Sequence, residues 1–303
     1  MSGVRRITKV LRSRPTIEGA GVHLKRAFGF HEVGEFDPFL LLDDFRSNAP
    51  EEYLAGFPWH PHRGIETITY VLQGRVEHGD SMGNAGVIAS GDVQWMTAGS
   101  GIIHQEMPKG REDGAMGGFQ LWANLPASHK MMDPRYRGVE SAEIPEVKLG
   151  GGTVVKVICG EVDGVEGPVR DIVTDPEYLD VTVPARSEFS RQTKPGHTTL
   201  AYVIEGKGYF DQQRDSFAYE MVGANYFDYK RDCLIGSENL ILFSDGDRLE
   251  VRTAEHSVRF LLFAGKPIRE PIAWYGPIVM NRQEELRIAF EEYRNGTFVK
   301  HAR

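Results

Sequence analysis

Cysteine is scarce in this chain: Cys159 and Cys233 are the two among 303 residues. They lie far apart without ligand spacing, which excludes a disulfide framework and leaves buried, reduced thiols as the expectation. No stretch approaches the ~20 consecutive apolar residues that cross a bilayer, and the start MSGVRRITKVLRSRP lacks the apolar core of a signal peptide. A soluble, cytoplasmic protein without membrane contact is expected. Runs of lysine or arginine are missing too. With a formal net charge of −8 and a pI near 5.7, an extended phosphate-binding face is excluded, and direct nucleic-acid binding with it. Gly206-Lys207-Gly208 lacks the remaining residues of a phosphate loop. No Ser-His-Asp assignment follows from His78-Gly79-Asp80-Ser81, which reads as a turn.

What the chain does contain is short apolar runs of strand type. With 41% hydrophobic residues over 303 positions it can bury two cores. Strands are expected at Phe39-Leu42, Thr67-Leu72, Val93-Thr97, Gly118-Leu125, Val154-Cys159, Leu179-Val183, Leu200-Ile204, Leu240-Phe243 and Val258-Ala264, punctuated by glycine and proline. Such spacing predicts an all-β sandwich or closed barrel. One short helix is expected near the end, with Asn281 as N-cap, Glu284 three residues on, Leu286, Ala289, Phe290 and Tyr293 at helical spacing, and Gly296 ending it. The interval from His129 to Gly152 reads as a connection. Domains are accordingly expected at 1–140 and 150–303.

Two short patterns carry the chemistry. His60-Pro61-His62 and His104-Gln105-Glu106 both have period-two spacing, so on a strand each pair aims two donors at one face. A lone histidine is usually an ordinary hydrogen-bonded residue, and the other histidines, including His78, His197 and His256, are read that way. Two such pairs on strands instead predict a metal site of His60, His62, His104 and a carboxylate, a donor set that suits a divalent transition metal and leaves coordination positions open. The carboxylate is Glu66 or Glu106. Glu66 has the parity of His62 four residues on, but Arg63-Gly64 interrupts the strand, and Glu106 stands only two residues from His104. Glu66 would then hydrogen-bond inside the barrel or orient an imidazole. Trp95, Met96, Phe119, Gln120 and Trp122 fall on flanking strands and are candidates to line a cavity, Gln120 as a polar contact to substrate or metal-bound water.

The segments FPWHPHRGIETITYVLQG, from Phe57 to Gly74, and GDVQWMTAGSGIIHQEM, from Gly91 to Met107, resemble the two signature segments of the pirin family within the cupin superfamily. Similarity runs from FDPFLLLDDF at Phe36 to GPIVMNRQEELRIAFEEYRNG near the C-terminus. The resemblance implies a bicupin, two cupin-type β-barrels with one metal site in the N-terminal half, and a carboxylate taken from the second motif, hence Glu106. It also implies an iron-type metal, Fe(II) ahead of Mn, Ni, Cu or Zn. The implied activity, that of some members, is quercetin 2,3-dioxygenase-like, taking an aromatic substrate and O2; in such a reaction Glu106 either stays bound or swings off to accept the substrate's hydroxyl proton, and a monomer is expected. In other members of the family the implied role is co-regulation, here a metal-bound, redox-sensing module that docks a protein partner.

An internal repeat is visible. Tyr70-Val71-Leu72-Gln73-Gly74 aligns with Tyr202-Val203-Ile204-Glu205-Gly206, and Gly91-Asp92 with Gly246-Asp247. Carried back without gaps, the register puts Gln192 opposite His60 and Lys194 opposite His62, while Arg259-Phe260-Leu261 falls near the second motif. The second half is expected to keep the architecture and lack the metal.

Overall fold

Side chains along Ile102–Lys109 alternate between buried and half-buried, the period a strand adopts with one face on a core. The computed structural model describes residues 3–223 and 232–301, and strands of this kind make up most of it. Val93–Thr97 and Val154–Cys159 have the expected bounds. Others are longer than their apolar runs, as in Ile65–Gln73 and Thr198–Gly208, because pairing continues past the last hydrophobic residue. No helix among the described residues is long and apolar enough to cross a membrane.

The chain divides into two compact units, residues 15–143 with 268–303, and residues 1–14 with 144–267. The break near residue 143 lies inside the expected connection, but the ends are exchanged relative to contiguous domains at 1–140 and 150–303. Strand pairing explains the N-terminal exchange: Ile7–Arg12 pairs antiparallel with Asn239–Phe243 and parallel with Glu220–Val222. Apolar packing explains the other, since Ala273, Ile278, Met280, Leu286, Ala289 and Phe298 form one cluster to which Ile103 adds. The expected connection also contains a strand, Arg135–Val139, paired with Val93–Thr97.

In the unit of residues 15–143 and 268–303, a seven-stranded sheet runs in the order Arg135–Val139, Val93–Thr97, Ile65–Gln73, Gly117–Asn124, Phe39–Asp44, Val22–Phe28, Arg14–Glu18. A four-stranded sheet runs Phe57–His62, Ile102–Lys109, Arg75–Asp80, Ala85–Ile88. Val22, Leu24 and Val71 of the first, with Phe45 just past Phe39–Asp44, meet Val76 and Ile88 of the second in one apolar cluster. Helix Gln283–Arg294 starts one residue later than expected: Arg282, not Asn281, is the N-cap, and Glu285 rather than Glu284 reaches back to accept from the N–H groups of Asn281 and Arg282 at 3.1 and 2.9 Å.

In the other unit, eight strands follow one another as Glu146–Lys148, Val154–Cys159, Glu177–Val183, Val258–Gly265, Thr198–Gly208, Asn239–Phe243, Ile7–Arg12 and Glu220–Val222, with Ile235–Gly236 pairing onto Thr198–Gly208. Glu188–Gln192 pairs separately with Arg248–Arg252. The repeat at Tyr70–Gly74 and Tyr202–Gly206 holds in backbone conformation, with Gly74 and Gly206 at φ +77° and +68°. Its extension does not: Gly91-Asp92 leads into Val93–Thr97, which pairs with Ile65–Gln73, whereas Gly246-Asp247 leads into Arg248–Arg252, the partner of Glu188–Gln192.

Candidate metal centre

Phe57–His62 and Ile102–Lys109 pair antiparallel with His104 opposite His60 and Ile102 opposite His62, and a bulge falls between His104 and Glu106. The pairing turns His60, His62 and His104 to one point. Ring centroids are 4.4 to 5.0 Å apart, and one ligand atom from each ring lies within 4.8 Å of the others. Among the described residues this is the group of three or more donor side chains able to hold a metal ion.

The protonation pattern fits a cation. His60 Nδ1 lies 2.8 Å from the Pro58 carbonyl and His62 Nδ1 3.0 Å from the Pro277 carbonyl. A carbonyl only accepts, so each Nδ1 carries a proton, which in the neutral tautomer leaves Nε2 as the bare, ligating nitrogen. These two Nε2 atoms face one another at 3.1 Å, and the Nε2 of His104 is buried with no hydrogen-bond partner. Burial, reinforced by the neighbouring imidazoles, holds His62 and His104 well below the ordinary histidine range. Neutral imidazole is the ligand form, and a metal ion at this point would satisfy all three lone pairs.

Glu106 is buried and shares the face of His104, yet it stands outside the histidine cluster. Its Oε1 accepts from the Thr69 hydroxyl at 2.9 Å and its Oε2 from the Gln120 amide at 2.9 Å, while Gln120 Oε1 accepts from Trp122 Nε1 at 3.0 Å. Glu66 does not keep the parity of His62, and the break lies at the Arg63-Gly64 interruption. Gly64 turns the chain at φ +79° so closely that a Cβ there would lie 2.0 Å from the Val279 carbonyl. The next strand therefore starts in a new phase: Thr69 faces Glu106, and Glu66, three residues earlier, faces the other side, where it accepts from the Thr97 hydroxyl at 2.7 Å.

Beside the histidines opens a cleft of about 1220 Å³, open solvent included, with His60, His62, Gln120, Trp122, Trp274 and Phe30 in its wall. Trp122 meets the His62 ring edge-on at 5.0 Å, and Trp274 contacts Trp122 and Phe30 at 5.9 and 5.6 Å. Of the expected lining residues, Gln120 and Trp122 line the cleft and Met96 packs in the cluster behind Trp122. Trp95 and Phe119 fall one residue out of phase with Met96 and Gln120, on the opposite face. Sequence reasoning missed Phe30 and Trp274, for which no local pattern exists. It also missed His78, which lies not in a turn but on Arg75–Asp80 opposite Glu106, its Nε2 2.6 Å from the Tyr136 hydroxyl. The period-two series Val76, His78, Asp80 was the available signal.

In the other unit, Phe189 pairs with Val251 and Arg191 with Leu249. Phe189, Leu249 and Val251 are buried in its core. The inward series is therefore Phe189, Arg191, and the ungapped register onto Gln192 and Lys194 slips by one: both are exposed, and the Lys194 ammonium pairs with Asp175 at 2.6 Å. Arg259-Phe260-Leu261 belongs to Val258–Gly265, which pairs with Thr198–Gly208 and not with Glu188–Gln192.

Comparison with known proteins agrees with this geometry. The sequence matches the Pirin family model over residues 21–123 and that of the Pirin C-terminal cupin domain over residues 178–299. A pirin-like protein of Caulobacter vibrioides is 42% identical over 296 residues, spanning 97% of this chain and 99% of the relative. Among solved structures, a quercetin 2,3-dioxygenase from Acinetobacter baumannii matches with a TM-score of 0.84 at 30% identity, covering 98% of this chain and 99% of that one. A bacterial pirin from Escherichia coli in complex with nickel(II) shares the fold, with a TM-score of 0.60 at 20% identity over 84% of this chain and 96% of its own. With two cupin-type domains in order along the chain and a histidine triad in one of them, this protein belongs to the pirin family of the cupin superfamily.

Proposed function

We propose that the protein is a metal-dependent dioxygenase that opens the central ring of a flavonol, with one divalent metal held by His60, His62, His104 and Glu106. The observation that carries this reading is the convergence of three buried or half-buried imidazoles, two with a bare Nε2 fixed by carbonyl contacts, beside an aromatic-walled cleft. Fe(II) is the proposed ion; the donor set also suits Mn, Ni, Cu and Zn, and nickel is the ion in the Escherichia coli pirin. When bound, the metal supplies a Lewis acid that lowers the pKa of the substrate's enol hydroxyl.

The remaining work falls to side chains. Pro277 and Pro58 carbonyls fix the tautomers of His62 and His60. Trp122, Trp274 and Phe30 flank a planar ring and keep water from it. Glu106, whose oxygens accept from Thr69 and Gln120, either stays on the metal or swings off to take the hydroxyl proton. Oxygen-electrode traces with metal-replete protein and quercetin test the reading, with uptake above free metal expected. If the protein binds flavonol anaerobically but consumes no oxygen with it or with other enediols, a partner-binding module replaces the enzyme. Uptake that persists in His62→Ala would mean adventitious metal catalysis.

A further inference from the structure

The cleft beside the histidines has a second polar pole. Backbone register sets Arg26 opposite Asp43, Asp43 opposite Gln120 and Gln120 opposite Thr69, so four neighbouring strands each place one polar side chain at the same level. Asp43, with a side chain 8% exposed, lines the cleft with Arg26 and Glu18. Arg26 Nε and Nη2 donate to the two Asp43 oxygens at 2.8 and 2.7 Å, and Nη1 donates to Glu18 Oε1 at 2.8 Å. A bidentate guanidinium uses one lone pair on each carboxylate oxygen and leaves others to accept. One cation against two carboxylates gives the pole a net charge of about −1, so it favours hydrogen-bond donors and repels anions. The histidine end, carrying a metal, requires the opposite: an anionic, chelating oxygen.

We infer that Asp43, braced by Arg26 and Glu18, is a specificity-determining residue for the part of the substrate that lies on the Arg26 and Glu18 side of the cleft, where it accepts hydrogen bonds from neutral phenolic hydroxyls. This assignment rests on the flavonol reading of the site and narrows it to polyphenols with free hydroxyls away from the chelating pair. Aromatic acids, sulfates and phosphates are rejected at that end. Burial raises the Asp43 carboxyl to about 6 against the pull of Arg26, so at pH 8 it is ionised.

Anaerobic titration of the metal-loaded protein at pH 8, followed by tryptophan fluorescence, tests it with two ligands. Quercetin carries remote hydroxyls; 3-hydroxyflavone keeps the chelating 3-hydroxyl and 4-carbonyl and has no others. Wild type should bind quercetin about tenfold tighter or more, the range of a hydrogen bond to a charged acceptor. Asp43→Asn should shrink that ratio at least about threefold while leaving 3-hydroxyflavone affinity unchanged, which also reports an intact cleft. Should Asp43→Asn fail to fold, Glu18→Gln, at a half-exposed position, carries the test: it neutralises the pole and should raise affinity for a flavonol sulfated away from the chelating pair. Equal wild-type affinity for both ligands, an equal loss of both in Asp43→Asn, or no gain for the sulfated ligand in Glu18→Gln overturns the assignment of the pole alone. Failure of wild type to bind even 3-hydroxyflavone overturns the flavonol reading and the assignment together.

Discussion

Phe57–His62 with Ile102–Lys109 in one unit and Glu188–Gln192 with Arg248–Arg252 in the other are antiparallel pairs facing the same kind of sheet, yet they turn different side chains inward. The first presents His60, His62 and His104 as one cluster; the second presents Phe189, Leu249 and Val251 to a core continuous with Val181, Val203, Ile241 and Phe260. Each fully buried apolar side chain of that kind contributes roughly 2 kcal/mol. The histidine pair forgoes this contribution and keeps instead a buried nitrogen without a partner, the Nε2 of His104. Strand topology is thus indifferent to chemistry, and the residues of one strand pair decide whether the interior is a core or a site.

Four substitutions or titrations would break or sharpen that contrast. The largest effect is expected from His62→Ala or His104→Ala, which should weaken metal retention by more than about 100-fold, beyond the 10–100-fold typical of outer partners. His197→Ala and His256→Ala should leave it unchanged, and metal analysis of protein purified without added metal should give one ion per chain; a stoichiometry of two would erase the contrast. Next, Phe260→Ala in the apolar core, where the ring lies 5.2 Å from Phe210 and 6.1 Å from Phe189, should lower unfolding stability by about 3–5 kcal/mol with no change in metal content. Urea unfolding monitored alongside metal content checks both halves of that statement. A smaller effect is expected at the carboxylates: Glu106→Gln should weaken metal retention about tenfold or more, and Glu66→Gln, on the other sheet face, much less. The reverse ranking would reassign the ligand.

The smallest effect concerns protons. Metal binding displaces a proton from any ligand histidine that carries one, and affinity then falls as pH falls. Burial holds His62 and His104 below the ordinary range, near 6.5 for exposed histidine, so these two are already neutral just under that pH and contribute no slope there. Competition metal titrations between pH 8 and 6 should therefore find affinity falling by no more than about one log unit per pH unit. Two or more would show that the buried histidines titrate normally.

Period-two patterns were legible because they are local: Val93–Thr97 and both ligand motifs needed only neighbouring residues to declare themselves. The phase of a strand was less so. The interruption at Arg63-Gly64 could be read, and Glu66 does point to Thr97, but a one-residue slip misplaced Gln192 and Lys194. Least legible were contacts across long stretches of chain. The Pro277 carbonyl that fixes His62 lies 215 residues away, Trp274 and Phe30 meet only in the folded unit, and Arg26 finds Asp43 only through strand register.

That 215-residue gap between His62 and Pro277 also has a meaning in time. At a synthesis rate of about 5–20 residues per second, His62 leaves the ribosome roughly ten to forty seconds before the carbonyl that orients its ring. The nascent histidines spend that interval in a unit without the segment 268–303, and so without Trp274 in its cleft. Until residues 268–303 are made, His62 lacks the carbonyl that orients it and the cleft lacks one aromatic wall.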